Sequence, residues 1–177
     1  MSTDALSAII SLGNNIYSSG LSFLVSWSTF VGVAGFALVL ASAHSRGNRG
    51  GQVYTGKTLL SLFFCAALTC LKPLVNASGA QFGFEMTSFD SISWAPTSTF
   101  GQGAEAVNAL LTVARLFGIG CFMGGLNTLR RSGLEGHTAL SASENTSLGF
   151  GKIIFGTLLA FIDNVLDATL TSLNIHF

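Results

Sequence analysis

The sharpest chemical pattern in the chain is Gly51-Gln52-Val53-Tyr54-Thr55-Gly56-Lys57-Thr58, which satisfies the phosphate-loop spacing G-x-x-x-x-G-K-[ST]. In such a loop the backbone amides cradle phosphates, the lysine reaches the β/γ oxygens and the threonine hydroxyl binds Mg²⁺. Leu159-Ala160-Phe161-Ile162-Asp163 imitates the strand that would accompany it. The chemistry needs a buried strand directly before the loop. Here a polar, basic segment, His44 to Gly50, separates the motif from an apolar run that is too long for a strand. The spacing is therefore formal, and no catalytic residue is assigned.

Asp163 and Asp167 lie one helical turn apart and share a face. Carboxylates on an apolar helix either line an ion path or pair with a partner. Arg115, inside another apolar run, is the partner expected for one of them. His44, His137 and His176 are dispersed and read as solvated side chains. Spacing proposes no Ser/His/Asp or Cys/His triad. Cys65, Cys70 and Cys121 all sit in apolar runs, match no zinc pattern and behave as small hydrophobes. No enzyme activity, metal or cofactor is expected; bound phospholipid is the one non-protein component this reading admits.

Only 9% of the residues are charged, against about 25% in a soluble domain. Mean hydropathy is +0.60. So little charge cannot cover the surface of a water-soluble domain of 177 residues. Much of that surface must face lipid or neighbouring subunits. Net charge is zero, so no global basic field marks a nucleic-acid binder. The N-terminus lacks a basic region before its first apolar residues, and no cleaved leader is expected.

The elements that would position these residues are all helical. The first apolar stretch, Leu21 to Ala43, runs 23 residues without a charge, long enough to cross hydrocarbon. The second runs from Thr58 to Leu71, extends toward Ala77, and should bend or end near Pro73. The third, Ala104 to Leu126, contains Gly120-x-x-x-Gly124; the fourth is Ile153 to Leu173. A short, loosely amphipathic helix (Leu6, Ile9, Ile10, Ile16, Tyr17) precedes the first. The linker, about 78–103, reads as irregular with at most a short strand or hairpin. Arg46, Arg49 and Lys57 follow the first stretch, and Arg130, Arg131 and Lys152 follow the third, while Glu85 and Asp90 occupy the linker. Basic loops stay cytoplasmic, so four spans with both termini and the linker outside satisfy that rule, the second loop also holding Glu135 and Glu144.

The two halves resemble each other. Phe30-Val31-Gly32-Val33-Ala34-Gly35-Phe36 lies over Leu116-Phe117-Gly118-Ile119-Gly120-Cys121-Phe122. A Gly-containing basic turn follows each, then Gly56-Lys57 or Gly151-Lys152 opens the next apolar run. The expected architecture is one all-α domain over 1–177: repeat 1 at about 21–77, linker at about 78–103, repeat 2 at about 104–177. Each repeat is a helix–basic loop–helix hairpin, four transmembrane-type helices in all. Gly32, Gly35, Gly120 and Gly124 are expected to let helices approach closely.

Leu116 to Asp167 and its counterpart Phe30 to Asn76 carry a resemblance to small polytopic membrane proteins of conjugative type IV secretion systems. The chain is most similar to the TraQ and TraR type of IncI-like conjugal transfer proteins, and more distantly to small type IVB secretion membrane proteins. Each hairpin also resembles a conjugative pilin, although here the unit occurs twice in one chain. The resemblance implies a structural subunit of the transfer apparatus, a pilin-like protein that assembles with itself and phospholipid into a helical filament. It implies residence in the bacterial inner membrane and then in an extracellular pilus, beside other transfer-apparatus proteins. The basic residues Arg46, Arg49, Lys57, Arg130, Arg131 and Lys152 would face lipid headgroups or a lumen carrying single-stranded DNA. A fixed inner-membrane channel or platform component is the alternative. A small transporter using Arg115, Asp163 and Asp167 is a third reading.

Overall fold

The structure, a computed structural model, describes residues 2–48, 50, 56–96, 98, 101–134 and 139–174. Among them all regular structure is helical: α1 (Ser2–Asn48), α2 (Gly56–Thr69), α3 (Leu71–Gln81), a 3-10 turn (Gly101–Gly103), α4 (Ala104–Leu134), α5 (Ala139–Ala160) and α6 (Ile162–Ser172). No strand or hairpin forms in the described part of the linker.

The short helix expected before the first apolar stretch is not a separate element; α1 runs unbroken through Gly13-Asn14-Asn15 for 47 residues. Tertiary contact overrides local propensity here. Gly13 lies against Ala109, where an added Cβ would meet the alanine Cβ at 3.3 Å. Four residues on, Tyr17 is buried and donates its hydroxyl to the Phe89 carbonyl at 2.8 Å. At 1.5 Å per residue α1 is roughly 70 Å long, over twice the ~30 Å of a hydrocarbon core.

α2 and α3 meet at 99° and α5 and α6 at 76°. One residue makes each break with nearly the same backbone: Cys70 (φ −107°, ψ 44°) and Phe161 (φ −110°, ψ 38°). Pro73 explains the first. Its ring clashes with the carbonyl four residues back, on Thr69, so α2 must end there. The proline then falls in the first turn of α3, where its missing N–H costs nothing. The second break has no proline. The fourth apolar stretch, expected as one run, is broken inside an apolar sequence.

α1 and α4 run parallel: Gly13 lies on Ala109, Gly20 on Leu116 and Leu24 near Gly120. Each pairs with the next long helix in antiparallel fashion. On α1, Gly32 meets Cys65 and Thr69 of α2; on α4, Gly118 meets Gly156 and Ala160 of α5. The C-terminal ends of α1 and α4 therefore lie toward one end with the N-terminal ends of α2 and α5, and the breaks toward the other. Tyr17, Leu21, Leu68, Val75, Ile119, Phe122 and Phe161 belong to the core between the hairpins.

Two helices, Ser7–Asn48 and Ala104–Ser132, are long and apolar enough to cross a membrane, and up to four spans result if each bent pair is one. This is the build of a membrane protein. Phe23, Phe30, Phe63, Phe117 and Phe155 stand on the outside of the helices.

Candidate functional site: an arginine-held helix break and its strap

Arg115 lies on α4 with only 3% of its surface exposed. Its Nε donates to the Ala160 carbonyl at 3.0 Å. Because α5 breaks at Phe161, that carbonyl has no continuing helix to supply its donor. One terminal nitrogen donates to the Asp90 carbonyl at 3.0 Å, and the other to Asp163 Oδ2 at 2.7 Å. The planar guanidinium fork suits such a site, where donors must point in fixed directions without solvent. The first break has a neutral counterpart: Ser28 of α1 donates to the Leu68 carbonyl.

Residues 84–96 form an extended strap across this end of the molecule. Unpaired backbone needs partners when covered, and side chains on the surrounding helices provide them. Asn76 of α3 donates to the Thr87 carbonyl and accepts from its amide. Thr112 of α4 accepts from the Ile92 amide. Asn108, one turn earlier, grips both the amide and the carbonyl of Ala95. Trp94 Nε1 donates to Asp167 Oδ1 at 2.6 Å. Phe89, buried against Tyr17, holds φ at 61°. That left-handed conformation is costly for a phenylalanine and persists only where the surroundings impose it.

The two acids singled out from sequence therefore part company. Asp163 pairs with Arg115, and Asp167 receives the Trp94 indole. Sequence reasoning missed the strap's anchors. Their available signal was Asn108 and Thr112, two polar residues one turn apart on an apolar span, and Asn76.

The basic residues are not all loop residues. Helices α4 and α5 are longer than the apolar stretches and leave only 135–138 between them. Arg130, Arg131 and Lys152 are therefore helical. Arg130 turns inward, donating to the Val31 carbonyl of α1 at 3.1 Å and resting on Gly35. This corrects its expected place on a lumen-facing loop. Helix continuation has the same cause as in α1: Gly125 and Gly149 pack backbone to backbone across α4 and α5. Arg46 and Arg131 are exposed near the ends of α1 and α4, and Lys152 is exposed on α5. Arg49, residues 51–55 of the phosphate-loop pattern, His137 and His176 lie outside the described residues, as does the Lys57 side chain. The element preceding that pattern is α1, a helix rather than a strand, and Thr58 is buried in the first turn of α2.

Among the packing glycines, Gly32 and Gly35 meet α2 closely. Gly124 has nothing within 4 Å of an added Cβ, and Gly120 only Leu24 at 3.9 Å. Close approach in the second hairpin falls instead to Gly118 and Gly125 on α4 with Gly149 and Gly156 on α5. These glycines repeat every seven residues on each helix. An added Cβ on Gly118 or Gly156 would lie 2.5 Å from a backbone nitrogen across the interface. Cys65 is buried, Cys70 exposed and Cys121 half-buried, all as free thiols. No protein family, curated protein or solved structure matches the chain.

Proposed function

We propose that this chain is a structural membrane subunit of a conjugative type IV secretion apparatus, pilin-like, which assembles with copies of itself and with phospholipid. The observation that carries the reading is the uncovered apolar surface of α1. Only 22% of its most apolar window is buried in the chain, so the remainder needs an apolar partner. Closely packed hairpins suit such a subunit, because their glycine-lined inner faces leave the apolar outer faces for packing. The site around Arg115 favours a holding role over conduction. Its three guanidinium nitrogens are all engaged within the chain, and both nearby acids have donors. Arg46 and Arg131, exposed toward one end, would face one compartment, where anionic lipid or single-stranded DNA provides the counter-charge. In this reading the protein waits in the inner membrane and leaves it for an extracellular filament.

A fixed inner-membrane component is the second reading. Arg130 favours it, because a residue folded onto the Val31 carbonyl is a poor lumen charge. Shearing donor cells separates the two. Recovery of the protein in the sheared filament fraction supports the pilin-like reading, and strict retention in the inner membrane rejects it in favour of the fixed component.

A further inference from the structure

The two hairpins are built alike but are not level. Gly32 and Gly118, which the repeat equates, do the same work: each meets the backbone of its hairpin partner just before the break, at Thr69 and at Ala160. Repeat-related residues such as these are 86 positions apart in sequence. Where α1 and α4 touch, however, the partners Gly13–Ala109, Gly20–Leu116 and Leu24–Gly120 are 96 apart. The second hairpin is thus displaced along the axis by the difference, ten residues, or roughly 15 Å. The anchors of the two breaks give nearly the same offset. Ser28 holds the first, while Arg115, which holds the second, lies level with residue 19 of α1.

A displaced pair of like units leaves each half of its interface repeated elsewhere, without a partner. On the α1 side the contact uses Gly20 and Leu24, whose repeat equivalents are Ala106 and Leu110 of α4. On the α4 side it uses Leu116 and Gly120, whose equivalents are Phe30 and Ala34 of α1. Leu110 is 70% exposed and Phe30 64%. Size complementarity carries over as well. Inside the chain small Gly20 meets large Leu116, and large Leu24 meets small Gly120. The equivalents offer small, half-buried Ala106 for large, exposed Phe30, and large, exposed Leu110 for small, half-buried Ala34.

We propose that a second copy of this chain docks its α1 on this stripe of α4, with Phe30 of the next copy over Ala106 and Ala34 of the next copy against Leu110. The contact joins different surfaces and adds an axial step of the same sign each time, so it cannot close into a ring and generates an open chain of copies. Each copy is displaced by roughly 30 Å from the last. That equals the thickness of a hydrocarbon core, and copies lying in one bilayer share one height. The interface therefore belongs to the filament that the proposed function implies; in the bilayer, acyl chains cover the same stripes.

Cysteine pairing tests the register. In a chain carrying Cys65→Ala, Cys70→Ser and Cys121→Ala, the pair Ala34→Cys and Leu110→Cys lies roughly 30 Å apart within one copy, far beyond the ~7 Å a disulfide tolerates. Oxidation of the sheared fraction is expected to yield a ladder of covalent multimers from the double variant. Neither single variant gives a ladder, nor does an off-register pair of Ala34→Cys with Phe117→Cys. A sheared fraction without the ladder, or with an equal ladder from the off-register pair, overturns the interface while leaving the filament reading intact. A ladder found only in membranes, where copies share one height and a step of roughly 30 Å cannot form, overturns the stepped interface, as does the absence of a ladder in either fraction. Should the thiol-free chain not accumulate, size exchange in the native chain reads the same contact. Ala34→Leu is expected to abolish oligomers that survive mild detergent, and adding Leu110→Ala to restore them. Unchanged oligomers in Ala34→Leu overturn the proposal.

Discussion

Arg115 occupies the point where α5 stops bonding to itself, and the three bonds from its guanidinium link α4, α5, α6 and the strap. Replacing it by leucine strands the Asp163 carboxylate and two carbonyls in a low-dielectric site. Removing one partner of a buried pair costs about 3–5 kcal/mol, so Arg115→Leu should lower the thermal midpoint in detergent markedly. Adding Asp163→Leu should recover much of the loss, because the stranded charge is then gone. A double variant no more stable than the single would show that the two carbonyls, not the ion pair, dominate. Asn108 supplies a second residue-scale prediction. Asn108→Ala removes both bonds to Ala95, each worth about 1 kcal/mol. Amide exchange at Ala95 should rise by about tenfold or more, with little change in the middle of α5.

At the scale of elements, seven-residue glycine spacing sets how close α4 and α5 come. Gly118→Ala inserts a methyl against backbone on the facing helix, and overpacking of this kind costs about 1–3 kcal/mol. Gly124→Ala meets open space and exchanges a flexible residue for a good helix former, a gain of about 0.5–1 kcal/mol. Unfolding in detergent should therefore place the two alanine variants on opposite sides of the parent. Both glycines are plain from sequence, and the G-x-x-x-G spacing points to Gly120 and Gly124. The interface uses Gly118 and Gly125 because the face turned toward α5 is set by where α1 and α2 already sit on α4. Likewise Pro73 announced the first break by its chemistry, whereas nothing in Leu159-Ala160-Phe161-Ile162 announced the second.

For the whole molecule, the arrangement of ends carries a topological prediction. The strap and both breaks lie toward one end, and Arg46 near the other. In the inner-membrane residence proposed above, with basic ends retained in the cytoplasm, a membrane-impermeant maleimide should label Met86→Cys, a strap position 81% exposed, from the periplasmic side of a Cys70→Ser chain. Arg46→Cys should label only after the inner membrane is permeabilised. The reverse pattern would invert the protein in the bilayer, and labelling of both sites from one side would exclude a spanning hairpin.

Composition by itself determined that this chain must bury its surface in something other than water, because eight basic and eight acidic residues cannot solvate it. Apolar stretch length determined helices of membrane-crossing size. Pairing of Arg115 with an acid of the fourth stretch was also readable, since a lone buried cation requires one. Only the tertiary structure decided which acid, which glycines, where the helices end and how the hairpins are offset. Those outcomes depend on register between elements far apart in the chain, and no local propensity or spacing encodes a register that contact between two surfaces selects.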